Sequence, residues 1–231
     1  MAKQVVTRRS TKEDVLIDVA QVSEKTTHWF EVYKKPLLYA GIGLLAIIVG
    51  TVAWNYVQAG NQKKAIAAMW RAERMFEQDS FNLALTNPGG GYDGFLDIAR
   101  KYGSTTTGNL AHYYAGVCYL QTGKFDEAIQ ELEKYSPKGD LLGASKAGAL
   151  GDAYSEKKDF AKAMKFYKEA GSVGVSDDIK SLYLKRYGML CQIQNKNAEA
   201  LEAFKEIKDK YPLTLEGREI EKYIAAVEMK K

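Results

Sequence analysis

Residues 151–170 have the sequence GDAYSEKKDFAKAMKFYKEA, and this stretch decides the fold. A small residue, Ala163, lies twelve positions after Gly151, and an aromatic residue, Tyr167, follows four positions later. A small residue and then an apolar residue occur at the same two spacings after Gly116 and after Gly188. Two independent spacings that recur at a nearly constant interval predict three copies of one helical unit.

The three segments resemble tetratricopeptide repeats. That family has Gly and Tyr on a first helix, Ala and Phe on a second helix, and then a closing Pro. The three glycines give a period near the family's roughly 34 residues, and Pro212 closes the third copy. Two positions depart from the pattern: His112 stands at the usual tryptophan position, and Cys191 replaces the tyrosine. The resemblance implies close helix pairs, with aromatic residues filling the space between consecutive hairpins.

Weaker signals extend this pattern in both directions. Upstream, we predict one long amphipathic helix over Lys63–Leu85, a break at Asn87–Gly91 and a further helix. That further helix would be the second helix of a degenerate repeat, and it carries Phe95, Ile98, Ala99 and Tyr102. Downstream, a final helix would cap the last hairpin with a polar outer side, and its apolar residues are Ile220, Tyr223, Ile224 and Val227.

The segment from Pro36 to Tyr56 has no ionisable side chain apart from two tyrosines. Its roughly 18 central residues would span about 27 Å as a helix, close to the thickness of a bilayer's hydrocarbon core. We therefore expect a transmembrane helix over 36–56. A buried core helix would carry a polar stripe, and a signal peptide cleaved near Val57–Ala59 would have a shorter basic start. An uncleaved signal anchor is favoured over both alternatives.

Basic residues predict the orientation of this helix. Lys34 and Lys35 lie directly before the span, and five more basic residues precede them. Short basic flanks remain in the cytoplasm, so residues 1–35 are expected there and the C-terminal domain on the other side. The expected fold class is all-α: an N-terminal transmembrane helix, then an α-solenoid of about three to four tetratricopeptide repeats over residues 62–231, with a C-terminal capping helix.

Composition argues against several functional classes. The net charge is only +4, and the lysines alternate with acidic residues, which does not favour a nucleic-acid partner. The two histidines, His28 and His112, are predicted on opposite sides of a membrane and cannot share a site. Cys118 and Cys191 lie in repeats that are not neighbours, too far apart for a disulfide. We expect no enzyme activity, metal, cofactor or small-molecule substrate.

The resemblance also implies a groove lined by the first helices of the repeats, where the family binds peptides or protein surfaces. Tyr113 and Val117 stand where some members carry Lys and Asn for acidic C-termini, so an apolar or extended protein segment is the expected ligand. Packing of some groove residues under a neighbouring helix is the alternative. By the family's register, the groove residues are Leu110, Tyr113, Val117 and Leu120 in the first copy, Ser145, Asp152 and Glu156 in the second, and Lys185, Met189 and Gln192 in the third.

The whole architecture, a short basic N-terminus, one span and degenerate repeats, resembles the YfgM-type family of ancillary Sec translocon subunits. The resemblance implies a single-pass protein of the bacterial inner membrane whose repeats lie in the periplasm. Its implied partners are Sec translocon subunits and a membrane-anchored prolyl-isomerase-like chaperone that acts on exported proteins. The alternative is a structural scaffold of another cell-envelope complex, such as secretion or division machinery.

Overall fold

The structure is a computed structural model that describes residues 12–87, 89–172, 174 and 176–229, with side chains from residue 32 onward. The chain divides into two compact units between Val57 and Gln58. Every regular element in the described residues is a helix. The helices are α1 (Lys12–Glu77), α2 (Phe81–Leu85), α3 (Phe95–Tyr102), α4 (Thr106–Gln121), α5 (Phe125–Lys134), α6 (Asp140–Glu156), α7 (Phe160–Ser172), α8 (Asp177–Ile193), α9 (Asn197–Lys210), α10 (Leu215–Glu219) and α11 (Glu221–Glu228).

In the described residues, the N-terminal unit is helix α1 from Lys12 to Val57, and it contains the apolar segment. Within the described residues, the stretch Val32–Glu77 is the one helical stretch long and apolar enough to cross a membrane. The large apolar side chains of this segment are exposed, with Leu38 at 62% and Leu45 at 65%. The first eleven residues of the predicted cytoplasmic segment, 1–35, lie outside the described residues.

The end of α1 corrects one expectation, because Lys63–Leu85 is not a single helix. Helix α1 ends at Glu77, and Asp79 adopts a left-handed backbone with φ of 55°. The Ser80 N–H then donates to the Met75 carbonyl at 2.9 Å, which satisfies an end-of-helix acceptor. After this turn the Phe81 ring packs edge-on against Phe76, with centroids 5.5 Å apart. The break lets Phe81 fold back onto the core.

Three helical hairpins follow: α4–α5, α6–α7 and α8–α9. The turn of each hairpin contains one residue with a left-handed backbone, at equivalent positions: Gly123, Lys158 and Asn195. In each turn the N–H of the next residue closes the helix by donating to a carbonyl five residues back, at 2.8–2.9 Å. The three copies therefore share a turn as well as the glycine spacing.

Inside each hairpin, the glycine of the first helix contacts the apolar residue sixteen positions later. A Cβ atom added at Gly116 would lie 2.6 Å from Leu132, one at Gly151 would lie 2.6 Å from Tyr167, and one at Gly188 would lie 2.5 Å from Phe204. Such distances are shorter than any van der Waals contact, so only glycine lets the helices pack this closely. The predicted pairing of helices is confirmed, and we call this the glycine contact.

The core of the C-terminal unit consists of three clusters along the chain. The first includes Met69, Phe95 and Cys118, the second Leu132 and Leu150. The third cluster is closed by the C-terminal residues, where the expected final helix is α11, and a further short helix, α10, precedes it and meets it at Ile220. Its fully or almost fully buried members from this end are Ile220, Ile224 and Val227.

Candidate protein-binding surface

A depression of about 540 Å³ opens along the first helices of the hairpins, and we call it the inner groove. Residues from all three hairpins contribute to it, since α4, α6 and α8 lie side by side in the stack. It combines apolar and charged side chains, as protein-binding surfaces commonly do. The lining residues are Leu120, Gln121, Gly123, Phe125, Asp152, Ser155, Glu156, Tyr167 and Arg186.

An aspartate, an arginine and a tyrosine form a linked cluster in the inner groove. The Tyr167 hydroxyl donates to Asp152 Oδ1 at 2.7 Å, and the Arg186 guanidinium forms an ion pair with the same oxygen. The guanidinium also lies 5.9 Å from the Tyr167 ring and 5.7 Å from the Tyr183 ring. Cation–π contacts at these distances hold the arginine in one orientation. The cluster connects α6, α7 and α8 across a hairpin boundary.

The ionisation of this cluster follows from its partial burial. Burial raises the pKa of the Tyr167 phenol, and the neighbouring Asp152 carboxylate raises it further. Burial opposes the charge on Arg186, but the Asp152 carboxylate outweighs this effect and raises the pKa of the guanidinium. At neutral pH the groove therefore presents a neutral phenol and a fixed Asp–Arg pair.

The structure brings some of the predicted groove residues together and places others elsewhere. Leu120, Asp152 and Glu156 line the inner groove, and Met189 is 38% exposed on α8 but is not among the lining residues. The other predicted residues are partly buried or packed on neighbours: Leu110, Tyr113, Val117, Ser145, Lys185 and Gln192.

Two of these residues illustrate the alternative of packing under a neighbour. The Tyr113 ring lies 5.5 Å from the Tyr135 ring. The Lys185 ammonium lies 3.6 Å from Glu216 Oε1, and both side chains are nearly buried, 17% and 9% exposed. These side chains hold the stack together and offer little surface to a ligand.

Sequence analysis missed Arg186 and assigned Tyr167 only to the core. The register selected Lys185, which is adjacent in sequence but points toward the C-terminal helices, where it contacts Glu216. A usable signal was present: Asp152 is an acidic residue at a groove position, and a basic residue in the next copy could neutralise it. Whether Lys185 or Arg186 neutralises Asp152 depends on how α8 is rotated about its own axis.

A second polar cluster lies in the first hairpin. Glu131 is almost buried, and its two carboxylate oxygens contact His112 Nδ1 and Lys134 Nζ, each at 2.6 Å. Burial would raise the pKa of Glu131, but the hydrogen bonds from His112 and Lys134 outweigh it and lower the pKa. This is a paired carboxylate that links α4 to α5.

Neither metal nor thiol chemistry emerges from the part of the chain that the structure describes. No group of three His, Cys, Asp or Glu side chains in those residues could hold a metal ion. Cys118 and Cys191 are buried free thiols. Burial raises the pKa of Cys118 to about 12, so its thiol is protonated at neutral pH.

Comparison with protein families identifies two of the hairpins. Residues 110–136 and residues 148–170 each match the family described as Tetratricopeptide repeat. These segments cover most of α4–α5 and α6–α7. A comparison with curated proteins finds no match. The chain therefore carries tetratricopeptide repeats, the predicted all-α fold is confirmed, and the repeats make the C-terminal unit a protein–protein interaction module.

Proposed function

We propose that this chain is a membrane-anchored adaptor that binds a segment of a partner protein in the inner groove. The observation that carries the proposal is the groove itself. It runs over the first helices of three hairpins and combines apolar surface at Leu120 and Phe125 with the fixed Asp152–Arg186 pair. A preorganised polar pair beside apolar surface can orient an extended segment with little loss of side-chain entropy.

The anchor in this proposal is residues 36–56, with 1–35 in the cytoplasm and the repeat domain, 62–231, on the opposite side. Its support is an apolar helical stretch whose side chains are exposed, as a lipid-facing helix requires. Single-cysteine labelling with a membrane-impermeant reagent tests this topology. A cysteine at exposed Glu202 should react in intact cells, and one at Lys3 should react only after lysis.

The finer proposal is an accessory subunit of the Sec translocon that works with a membrane-anchored, prolyl-isomerase-like chaperone on exported proteins. Its support is the order of the parts, a basic N-terminus, one apolar helix and then repeats, which resembles the YfgM-type family. Repeats displayed beside a translocon would meet emerging chains and chaperones. A scaffold of secretion or division machinery has the same order of parts, so the partner must decide between the two.

Affinity purification of the full chain in mild detergent, with mass spectrometry, tests the partner. Three forms should be compared: the wild type, a groove variant Glu156→Lys, and a matched charge reversal on α9, Glu202→Lys. Recovery of Sec subunits and a periplasmic chaperone with the wild type and Glu202→Lys, but reduced recovery with Glu156→Lys, would support the proposal. Division or secretion components in their place would support the scaffold. Equal recovery with all three forms would show that the inner groove does not bind the partner.

A further inference from the structure

A second depression, about 360 Å³ in volume, lies on a different surface of the repeat domain. It is bounded by α5 and α7, with α6 between them, and it shares no residue with the inner groove. We call it the outer cleft. Its lining residues are Glu133, Pro137, Gly143, Lys146, Ala147, Leu150, Phe166 and Glu169.

The outer cleft exists because two residues of α6 are small. A Cβ atom added at Gly143 would meet no atom within 4 Å, so the space above this glycine is empty. Gly143 and Ala147 correspond in the third hairpin to Lys180 and Leu184, which are much larger. An open apolar space costs stability, since its walls lose dispersion contacts. The second copy leaves room where the third copy has side chains.

The walls of the outer cleft are apolar and well supported. Phe166 stacks on Tyr154 with ring centroids 5.5 Å apart and an angle of 5° between the planes. Ala147 and Leu150, each 3% exposed, belong to the buried surface of α6. A rigid apolar pocket of this kind can accept one aliphatic or aromatic side chain without rearranging.

The charged side chains at the outer cleft differ in whether they have a bonding partner. The Lys146 ammonium donates to the Tyr135 carbonyl at 2.6 Å and to the Glu133 carbonyl at 3.3 Å, so it is held against the end of α5. In the described ranges, the carboxylates of Glu133 and Glu169, on the two flanking helices, have no basic side chain within ion-pair distance. Glu133 does influence the Lys162 ammonium, since it makes a small contribution to the raised pKa of that group. Two exposed carboxylates beside an apolar pocket complement a cationic ligand.

We propose that the outer cleft is a second protein-binding site, which takes an apolar side chain flanked by Lys or Arg on a partner protein. The apolar side chain enters between Ala147 and Phe166, and the flanking cation pairs with Glu133 or Glu169. Leu141 and Leu142, which directly precede Gly143, are 56% and 38% exposed and extend the apolar contact surface. This site is independent of any ligand in the inner groove.

Peptide binding to the full chain in nanodiscs of zwitterionic lipid tests the proposal. The probe is a fluorescein-labelled ten-residue peptide with one leucine between two lysines in a glycine–serine background, measured by anisotropy against empty nanodiscs. Its matched control has glutamates in place of the lysines. The lysine peptide should bind at least about tenfold more tightly than the glutamate peptide, because the unpaired carboxylates attract one and repel the other.

Variants of the chain make the test specific for the cleft. Gly143→Leu fills the pocket with a side chain that meets empty space, and it should weaken lysine-peptide binding by about tenfold or more without lowering the melting temperature. The double variant Glu133→Lys, Glu169→Lys should weaken it similarly. Glu202→Lys and the inner-groove variant Glu156→Lys should leave binding unchanged.

Three results would overturn the inference: no binding of the lysine peptide at millimolar concentration, equal binding of the two peptides, or equal binding to the wild type and Gly143→Leu. Loss of binding with Glu156→Lys alone would instead place the peptide in the inner groove. The outer cleft can fail while the inner groove still binds its partner, so failure of one proposal is distinguishable from failure of the other.

Discussion

Two residue pairs recur at fixed spacings in each hairpin of this domain, and they differ in how much they vary from copy to copy. The glycine contact is the same in all three copies: a glycine on the first helix touches a large residue on the second. The outer pair, nineteen residues apart in sequence, changes from copy to copy. It is His112 with Glu131 in the first, Ala147 with Phe166 in the second, and Leu184 with Ala203 in the third.

This difference separates what the fold requires from what it permits. The glycine contact sets the distance between paired helices, so a change there alters the whole hairpin. The outer pair combines large, small and polar residues differently in each copy, and in the second copy it faces Glu133 and Pro137 of the preceding hairpin. In the second copy the combination leaves the outer cleft. The glycine contact therefore defines the repeat. The outer pair varies, and in the second copy this variation creates a separate surface.

The largest expected effect comes from emptying a glycine contact. Phe204 is fully buried against Gly188 and Tyr223, so Phe204→Ala should lower the free energy of unfolding by about 3–5 kcal/mol. Phe166→Ala, at the outer pair, removes a half-buried ring and should cost about 1–2 kcal/mol. Urea unfolding of the full chain in mild detergent measures both. Equal losses of unfolding free energy in the two variants would mean that the glycine contact and the outer pair contribute equally to stability.

Overfilling the contact should give a smaller effect of the same kind. In Gly188→Ala the new methyl group would lie 2.5 Å from the Phe204 ring, and crowding of about 1–3 kcal/mol should exceed the helix-propensity gain of about 1 kcal/mol. Gly143→Ala is the matched control, because its methyl group enters empty space and should stabilise the protein by about 0.5–1 kcal/mol. A stabilising Gly188→Ala would contradict the steric account.

The sequence predicted the close helix pairs because small residues recur at fixed spacings within each hairpin. It assigned the aromatic residues to the space between consecutive hairpins, whereas Tyr167 and Phe204 also contact the glycine of their own hairpin. The break after Glu77 was not predicted, since Lys63–Leu85 has helical periodicity throughout. What ends the helix is the left-handed Asp79 together with the packing of Phe81 on Phe76, a contact between side chains that periodicity does not encode.

The candidate sites were less predictable than the fold. Asp152 was identified from the register, but its partner Arg186 belongs to the next hairpin, and the choice between Lys185 and Arg186 depends on how one helix is rotated against another. The outer cleft is created by the small residues Gly143 and Ala147, which leave space where the third copy has larger side chains. Aligning the copies would have shown the small residues, but only coordinates show that no other element fills the space.

The polar outer pair of the first copy should make stability depend on pH. The pKa of Glu131 is lowered in the folded protein, so its contribution to stability is present above the ordinary carboxyl pKa of 4.5 and disappears as the pH falls through the lowered value. Glu131→Gln should therefore destabilise the protein at pH 7 and much less at pH 3. Glu202→Gln, on an exposed position, is the control for general carboxylate effects. A stability difference that is constant with pH would show that the hydrogen bonds from His112 and Lys134 to the Glu131 carboxylate contribute nothing.

Substitutions in the hairpin turns should have the smallest effects on stability, and they test whether the three turns are equivalent. Each has one left-handed residue, with φ of 75° at Gly123, 61° at Lys158 and 57° at Asn195. A lysine is strained in this region, asparagine tolerates it and glycine adopts it freely. Lys158→Gly should therefore stabilise the protein by up to about 1 kcal/mol, Asn195→Gly should change little, and Gly123→Ala should destabilise it by about 1 kcal/mol. Urea unfolding measures all three, and a destabilising Lys158→Gly would mean that the lysine side chain contributes contacts that outweigh its backbone strain.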